Sequence, residues 1–177
     1  MPEPVLNRFA GVITLIGMPG GGKSTVGRLV AKQLGLSFHD ADQAFEASAG
    51  CTISEFFERR GEAAFREVEA DVLRGLLMQE SSVVATGGGA ILRTESRELL
   101  RARTHCVYLR VPTGTLVHRL RRDTRRPLMR VADPEQRVRE LLAEREPLYQ
   151  NTAAVVVETA GLPLRRVVAA VAESVPR

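Results

Sequence analysis

The sequence predicts an α/β fold, a three-layer sandwich in which a central parallel sheet is covered by helices on both faces. Short apolar runs alternate along the chain with longer amphipathic stretches. Strand followed by helix, repeated, is the pattern of a parallel sheet. The length of 177 residues suits one hydrophobic core. We therefore expect residues 1–177 to form a single domain.

The predicted strands are short runs rich in β-branched and other apolar residues. The first run, Val12–Ile16, is bounded by glycines. A second strand is expected just before the acidic stretch that begins at His39. Later runs of the same character predict strands at residues 83–85, 106–111 and 154–157.

The predicted helices are stretches with apolar residues every three or four positions. Thr52 with Glu55 forms a capping box, and Asp133 followed by Pro134 supplies a cap and a first-turn proline. A helix is therefore expected to begin after each cap. The helical segments predicted in this way are 24–34, 53–60, 63–78, 96–102, 134–145 and 164–175.

The segment between Leu120 and Asp133 lacks apolar periodicity, and it is predicted to be a mobile loop. Its arginines gather with only Asp123 among them. A solvated surface and a loop that faces a polyanion are both consistent with this charge. The arginines in and beside the segment are Arg119, Arg121, Arg122, Arg125, Arg126 and Arg130.

Composition excludes several classes of protein. The formal net charge is +4, but acidic residues are interleaved with most arginines and aromatic residues make up only 5%, so we expect no nucleic-acid partner. No apolar run approaches the roughly 20 residues that span a bilayer, and the N-terminus lacks the layout of a signal peptide. We expect a soluble, cytoplasmic protein without a membrane partner. Cys51 and Cys106 lie far apart without zinc-ligand spacing, so neither a disulfide nor a zinc site is expected.

A phosphate-binding motif follows the first predicted strand. Residues 17–25 read GMPGGGKST and match G-x-x-x-x-G-K-[ST] between a strand and a helix. Glycines let the backbone wrap around an oxyanion, and the N-terminus of the helix adds positive potential. Lys23 is expected to neutralise the outer phosphates and Ser24 to bind Mg²⁺. The residues predicted to bind the nucleotide here are Gly20, Gly21, Gly22, Lys23, Ser24 and Thr25.

The motif by itself leaves several nucleotide-dependent classes open. A regulatory GTPase would need an NKxD motif, which the sequence lacks, and a motor ATPase would end a later strand in an acidic residue. Here the strand at 83–85 is followed by Thr86 and three glycines. Carboxylates occur instead in HDADQAFE, where Asp40 and Asp42 would share one face of an extended backbone.

The acidic pair has two interpretations, one catalytic and one structural. In the catalytic one, Asp40 holds Mg²⁺ through water and Asp42 accepts a proton from an attacking hydroxyl. In the other, the pair is a plain acidic helix cap.

Several motifs occur together in one order: GMPGGGKST, DADQAFE, GEAAFREVE and ATGGGA, followed by RRPLM and EREPLYQ. From about Ile13 to near the C-terminus the chain therefore resembles the shikimate kinases, a family of the nucleoside-monophosphate-kinase-like P-loop group. The resemblance implies a P-loop kinase architecture with a lid at about 121–131 and a substrate-binding segment at about 44–69. It also implies ATP-dependent phosphorylation of the shikimate 3-hydroxyl, which gives shikimate 3-phosphate and ADP on the way to chorismate and the aromatic amino acids.

The resemblance further implies roles for individual residues. Asp42 would contact the substrate hydroxyls as the catalytic base, with Lys23 also catalytic, and Asp40 would orient Mg²⁺, the expected cofactor beside ATP. Guanidinium groups suit a planar carboxylate. The residues expected to bind the acceptor with Asp42 are the arginines Arg66 and Arg145, which hold its carboxylate, and Gly87, Gly88 and Gly89, which let the backbone approach its ring.

The nucleotide side of the resemblance is carried by two further arginines. Arg126 corresponds to the catalytic lid arginine, which also contacts ATP, and Arg119 to an arginine near adenine. The adenine loop aligns only loosely, with residues 159–163.

Two alternatives stay open beside this interpretation. One is another small-molecule kinase of the same fold, of the gluconate type, although gluconate has no obvious need for this combination of motifs. The other is a kinase-like ligand sensor without turnover, which should have a damaged acidic pair or triple glycine and an added DNA-binding region. Both motifs are intact here, and the residues before the first strand are too few for a helix-turn-helix. We expect a monomer whose partners are the small molecules ATP and shikimate.

Overall fold

The computed structural model describes residues 9–123 and 131–176. Their five strands form one sheet in which every pairing is parallel, in the order β2-β3-β1-β4-β5. The strands are β1 (Val12–Ile16), β2 (Ser37–Asp40), β3 (Ser82–Ala85), β4 (Thr104–Arg110) and β5 (Val155–Glu158).

Helices connect the strands and cover the sheet. A short 3-10 helix, Ala90–Leu92, follows the loop after β3. The α-helices are α1 (Lys23–Leu34), α2 (Ala41–Ala49), α3 (Ile53–Leu76), α4 (Thr94–Arg103), α5 (Thr113–Leu120), α6 (Pro134–Thr152) and α7 (Leu164–Ser174).

The sheet separates two apolar cores, because successive side chains of a strand point to opposite faces. In β1, Ile13 and Leu15 belong to the core that includes residues of α1 and α7. Val12 and Ile16 belong to the core built with α3, α4, α5 and α6. The α/β sandwich with helices on both faces is therefore confirmed.

A third apolar cluster fixes α2 against α3. The ring centroid of Phe45 lies 5.1 Å from that of Phe56 and 4.8 Å from that of Phe65. All three rings are buried. Helices α2 and α3 therefore share an apolar cluster that is separate from the two cores on the faces of the sheet.

The two helices predicted at 53–60 and 63–78 are both present, and they meet at a kink within α3. Gly61 has φ 78° and ψ 175° inside α3, a conformation open essentially only to glycine. The predicted break therefore lies at Gly61, and α3 ends at Leu76.

Helix α6 is longer than its prediction of 134–145. Pro147 lies inside it, although proline usually ends or kinks a helix. The buried face continues through Tyr149 and Thr152, so packing against the core outweighs the local cost of the proline. Helix α2 overlaps the substrate-binding segment expected at about 44–69, and no bounds were predicted for α5.

The topology brings three loops to one edge of the sheet. The carboxyl ends of β1, β2 and β3 lie side by side, and in open parallel sheets this edge is where ligands bind. Thr86 strengthens the junction, because its backbone N–H and its hydroxyl both donate to the carbonyl of Leu15 at 3.1 Å.

Candidate active site

The loop after β1 is shaped as a cradle for phosphate. Gly20 and Gly22 have φ values of 76° and 81°, which glycine adopts without steric cost. The N–H of Gly21 donates to the carbonyl of Met18 at 3.0 Å and closes a tight turn. The backbone therefore turns back on itself just before α1 begins at Lys23.

Lys23 lies inside this loop. Its ammonium group donates to the carbonyls of Gly17 at 2.9 Å and Met18 at 2.8 Å. The residue is buried, and it sits in the first turn of α1, where backbone N–H groups lack intrahelical acceptors. Its positive charge and the helix N-terminus thus act on the same point in space.

A cavity of about 650 Å³ opens above the loop, a size typical of small-molecule sites. Arg119 of α5 lines it and donates to the carbonyl of Gly20 at 3.0 Å. The far wall is the loop after β5. All six residues predicted from the phosphate motif line this first cavity, together with Arg119 and the loop residues Thr159, Ala160, Gly161 and Leu162.

The acidic pair differs from its prediction in conformation. Asp40 ends β2 with φ −104° and ψ 120°, whereas Asp42 is in the first turn of α2. Asp40 caps that helix, since its Oδ1 accepts from the N–H groups of Asp42 at 3.0 Å and Gln43 at 3.2 Å. The expectation of an extended pair was wrong, and the helix-cap interpretation holds for Asp40.

The Asp40 carboxylate also reaches across to α1. Its second oxygen accepts a close hydrogen bond from the hydroxyl of Ser24. One carboxylate therefore caps α2 and contacts the phosphate loop, and this joins the segment after β2 to the segment after β1.

A second cavity, of about 520 Å³, adjoins the first. Arg66 and Glu69 of α3 and Arg145 of α6 line it, with Ile53 and Phe57 on the apolar side. Arg66 donates to Glu69 at 2.8 Å and to Glu62 at 3.3 Å. The cavity combines an apolar wall with two guanidinium groups.

These two guanidinium groups keep unsatisfied donors. Arg145 is 2% exposed. Among the residues that the structure describes, neither the Nε of Arg66 nor that of Arg145 has a hydrogen-bond partner, although both atoms are buried. Buried donors without a partner are costly and rare, so the pair is suited to an anion that supplies acceptors.

Glu69 places a carboxyl group beside the two arginines of the second cavity. Burial raises the pKa of its carboxyl above the ordinary value, and the charge of Asp42 acts in the same direction. Arg66 and Arg145 oppose this shift. The carboxylate is thus held in place by arginines at a position where ionisation is costly.

The three glycines after β3 line the second cavity, and Gly88 lines the first as well. A Cβ on Gly87 would lie 2.6 Å from Glu69 Oε1, and one on Gly88 would lie 2.5 Å from Cδ of Pro19. A Cβ on Gly89 would overlap the guanidinium of Arg66. A side chain at Gly87 or Gly89 would push Glu69 or Arg66 out of place, and one at Gly88 would press on the less movable ring of Pro19. The glycines therefore keep these neighbours in their positions.

The cavities meet at a junction that both share. Of the predicted site residues, Arg126 lies outside the described residues, and every other one lines at least one cavity. The residues common to both are Ser24, Asp40, Asp42, Gly88 and Asp123. A group bound in one cavity can therefore react with a group bound in the other at this junction.

Sequence reasoning missed several lining residues. Pro112 and Thr115 lie in the first cavity, and Arg28, Gln43 and Glu46 lie in the second. The helical spacing of Gln43 and Glu46 after Asp42 was the available signal, because residues three apart share one face of a helix. Pro112 and Thr115 carried no local signal.

Three comparisons with known proteins bear on this site. A family model described as shikimate kinase matches residues 19–176. The shikimate kinase of Halorhodospira halophila is 49% identical over 162 residues, which are 92% of each chain. The solved structure of shikimate kinase from Acinetobacter baumannii in complex with shikimate matches with a TM-score of 0.90 and 41% identity, over 93% of this chain and 92% of that one. A gluconokinase from Sinorhizobium meliloti, at 20% identity over 95% and 93% of the chains with a TM-score of 0.57, shows a likeness of fold alone.

Proposed function

The chain belongs to the shikimate kinase family, and we propose that its two cavities divide the family's reaction, with ATP in the first and shikimate in the second. The enzyme is an ATP-dependent phosphotransferase whose product is shikimate 3-phosphate, with ADP released. The observation that carries the assignment of the cavities is the pair of buried guanidinium groups with unpartnered Nε atoms in the second one.

The acceptor is an anion, and the second cavity matches it. Arg66 and Arg145 supply charge-assisted donors to the shikimate carboxylate. The apolar side chains of Ile53 and Phe57 lie against the carbon ring. Orientation by two arginines and one apolar wall leaves the ring hydroxyls facing the junction, where Asp42 lies.

The triphosphate is held by the loop after β1. The loop of Gly20, Gly21 and Gly22 wraps around the phosphates with Thr25 beside them, and Lys23 exchanges its contacts with the loop carbonyls for phosphate oxygens. Arg119 lies between this loop and the residues after β5, so it flanks the base.

The donor set at the junction fits a magnesium ion. Ser24 contributes a hydroxyl and Asp40 a carboxylate, which are already in contact, and Mg²⁺ is bound through one or two such oxygens with waters and phosphates. We assign Ser24 as a direct ligand and Asp40 as a ligand through water. Bound there, Mg²⁺ supplies positive charge that neutralises phosphate oxygens.

Transfer takes place at the junction, where Asp42 accepts the proton. The oxygen of the 3-hydroxyl forms a bond to the γ-phosphorus while the bond from that phosphorus to the β-γ bridging oxygen breaks. The hydroxyl proton passes to the Asp42 carboxylate, and the bridging oxygen leaves with ADP. We also retain Arg126 as the arginine that neutralises charge developing in the transition state.

Replacement of Arg145 by alanine tests the carboxylate assignment. A hydrogen bond to a charged group contributes about 1.5 to 3 kcal/mol, so Arg145→Ala should weaken shikimate binding by about tenfold or more. Calorimetry measures the dissociation constant, and ATP binding should stay within about twofold.

Arg139→Ala is the matched control, because this arginine is on the same helix with its side chain 67% exposed. Its shikimate affinity should equal that of the wild type. Unchanged shikimate affinity in a protein that lacks both Arg66 and Arg145 would remove these residues from the acceptor site.

A further inference from the structure

Tyr149 is a buried tyrosine of α6 whose hydroxyl contacts the loop of Gly87, Gly88 and Gly89, which follows β3. Its side chain is 0% exposed. The hydroxyl donates to the backbone carbonyl of Gly88 at 2.5 Å, across 61 positions of sequence. Gly88 is one of the residues that line both cavities. The bond therefore connects Tyr149, which lines neither cavity, to the junction between them.

The same hydroxyl also interacts with Arg145, one helical turn before it. Burial raises the pKa of Tyr149 above its usual range, whereas the charge of Arg145 and a hydrogen bond from its side chain act in the opposite direction. The phenol therefore keeps its proton at neutral pH and remains a donor to Gly88. The hydroxyl oxygen of Tyr149 thus connects Arg145, in the second cavity, to Gly88 in the loop after β3.

The ring of Tyr149 is held in place from its other face. It stacks on Tyr108 of β4 with ring centroids 4.9 Å apart and an interplanar angle of 24°. Tyr108 is also buried, but its hydroxyl donates to Glu146 at 3.2 Å. The two phenols therefore share a packing environment and differ in what their hydroxyls contact.

We propose that Tyr149 is a positioning residue for the acceptor: its hydroxyl fixes the carbonyl of Gly88 and the side chain of Arg145 relative to each other. Tyr149 is not among the described residues that line either cavity, so it acts through these two groups. The inference rests on the proposed placement of shikimate in the second cavity. It adds to the acceptor site a residue that does not line the cavity and that contacts two residues that do.

The two tyrosines offer a matched pair of variants for the test. Tyr149→Phe and Tyr108→Phe each remove one hydroxyl and keep both rings in the stack. For Tyr149→Phe we expect the KM for shikimate to rise by about fivefold to twentyfold, because one charge-assisted link is lost, with the KM for ATP within about twofold. For Tyr108→Phe we expect both KM values within about twofold of wild type.

The outcomes separate the inference from the function on which it rests. If the wild type forms no ADP in response to shikimate, the proposed function fails. If the wild type is active and Tyr149→Phe matches Tyr108→Phe in both KM values, the positioning role is wrong. Equal increases in the KM for shikimate and for ATP, or failure of Tyr149→Phe to fold while Tyr108→Phe folds, would show a general structural role and would also overturn it.

Discussion

At the scale of single residues, the site holds charged groups away from solvent. Lys23 and Glu69 are each 8% exposed and Arg145 is 2% exposed. Buried charges are stable only when paired or hydrogen-bonded. Lys23 meets this requirement with loop carbonyls, and Glu69 meets it with Arg66. Lys23 and Glu69 therefore have partners inside the protein, whereas the Nε of Arg145 has none among the described residues.

The buried carboxyl of Glu69 makes stability depend on pH in a defined direction. Burial first, and then the charge of Asp42, raise its pKa above the ordinary value of 4.5 against the opposing effects of Arg66 and Arg145. The folded state therefore holds this proton to a higher pH than the unfolded state does. The associated stability is complete below pH 4.5 and is lost as pH rises through the raised pKa.

We expect Glu69→Gln to lack this dependence. The free energy of unfolding of the variant, minus that of the wild type, should become more positive as pH rises above 4.5. Urea unfolding of both proteins between about pH 4 and pH 8 measures the difference. A difference that stays constant, or that falls with rising pH, would show that the pKa of Glu69 is not raised in the folded protein.

At the scale of elements, the kink of α3 sets the positions of four residues that line the second cavity. The half before Gly61 carries Ile53 and Phe57, and the half after it carries Arg66 and Glu69. Both halves line one cavity, which a straight helix of this length would not place in the same way. The backbone of one glycine therefore controls the relation between the apolar wall and the arginine.

Gly61→Ala should damage both stability and acceptor binding. A Cβ at Gly61 meets no atom within 4 Å, so the cost comes from the backbone at φ 78° and ψ 175°, about 1 to 3 kcal/mol. Denaturant unfolding measures the loss of stability, and steady-state kinetics should give a raised KM for shikimate.

Gly75→Ala is the control for this prediction. Gly75 lies in the same helix, and a Cβ there also meets no atom within 4 Å, but its backbone is not in the left-handed region. Alanine is the better helix former by about 1 kcal/mol, so this variant should be as stable as the wild type or more stable. Similar destabilisation of both variants would contradict the importance of the kink.

Some helices and strands could be predicted from the sequence, and others could not. The central strands and α1 were predicted because local apolar patterns and glycines mark them. The 8-residue helix α5 was missed because it is too short for a clear period. The catalytic interpretation placed Asp40 and Asp42 on an extended backbone, whereas the helix-cap interpretation anticipated that a helix begins at this pair, as α2 does.

At the scale of the whole molecule, the site is assembled from segments far apart in the chain. Its phosphate loop, acidic pair and triple glycine could be predicted to meet, because each lies at or just after the carboxyl end of a strand and a parallel sheet brings these ends together. Arg66 and Arg145 lie within α3 and α6, and their place in the site was expected only from the family resemblance. The hydrogen bond from Tyr149 to Gly88 could not be predicted, since it depends on how α6 packs across the loop after β3. Contacts of that kind follow from tertiary packing and leave no periodic signal.

The assembled molecule makes acceptor selection its central property. In the proposed site, the arginine pair selects a carboxylate, and the apolar wall with the adjoining glycines selects a compact ring. Gluconate also carries a carboxylate and hydroxyls, but its open chain lacks the ring. Acceptor choice therefore distinguishes this site from that of a kinase that shares only the fold.

The most direct measurement is a coupled assay of ADP formation with shikimate, with gluconate and without an acceptor, in parallel. Lys23→Ala serves as the inactive reference, expected to lose about 10² to 10³ in rate, and Lys32→Ala, which replaces the other lysine of the chain, serves as its exposed control. We expect rapid ADP formation with shikimate and with no other acceptor, in the wild type and in Lys32→Ala. ADP formation at the same rate with gluconate, or without any acceptor, would contradict it.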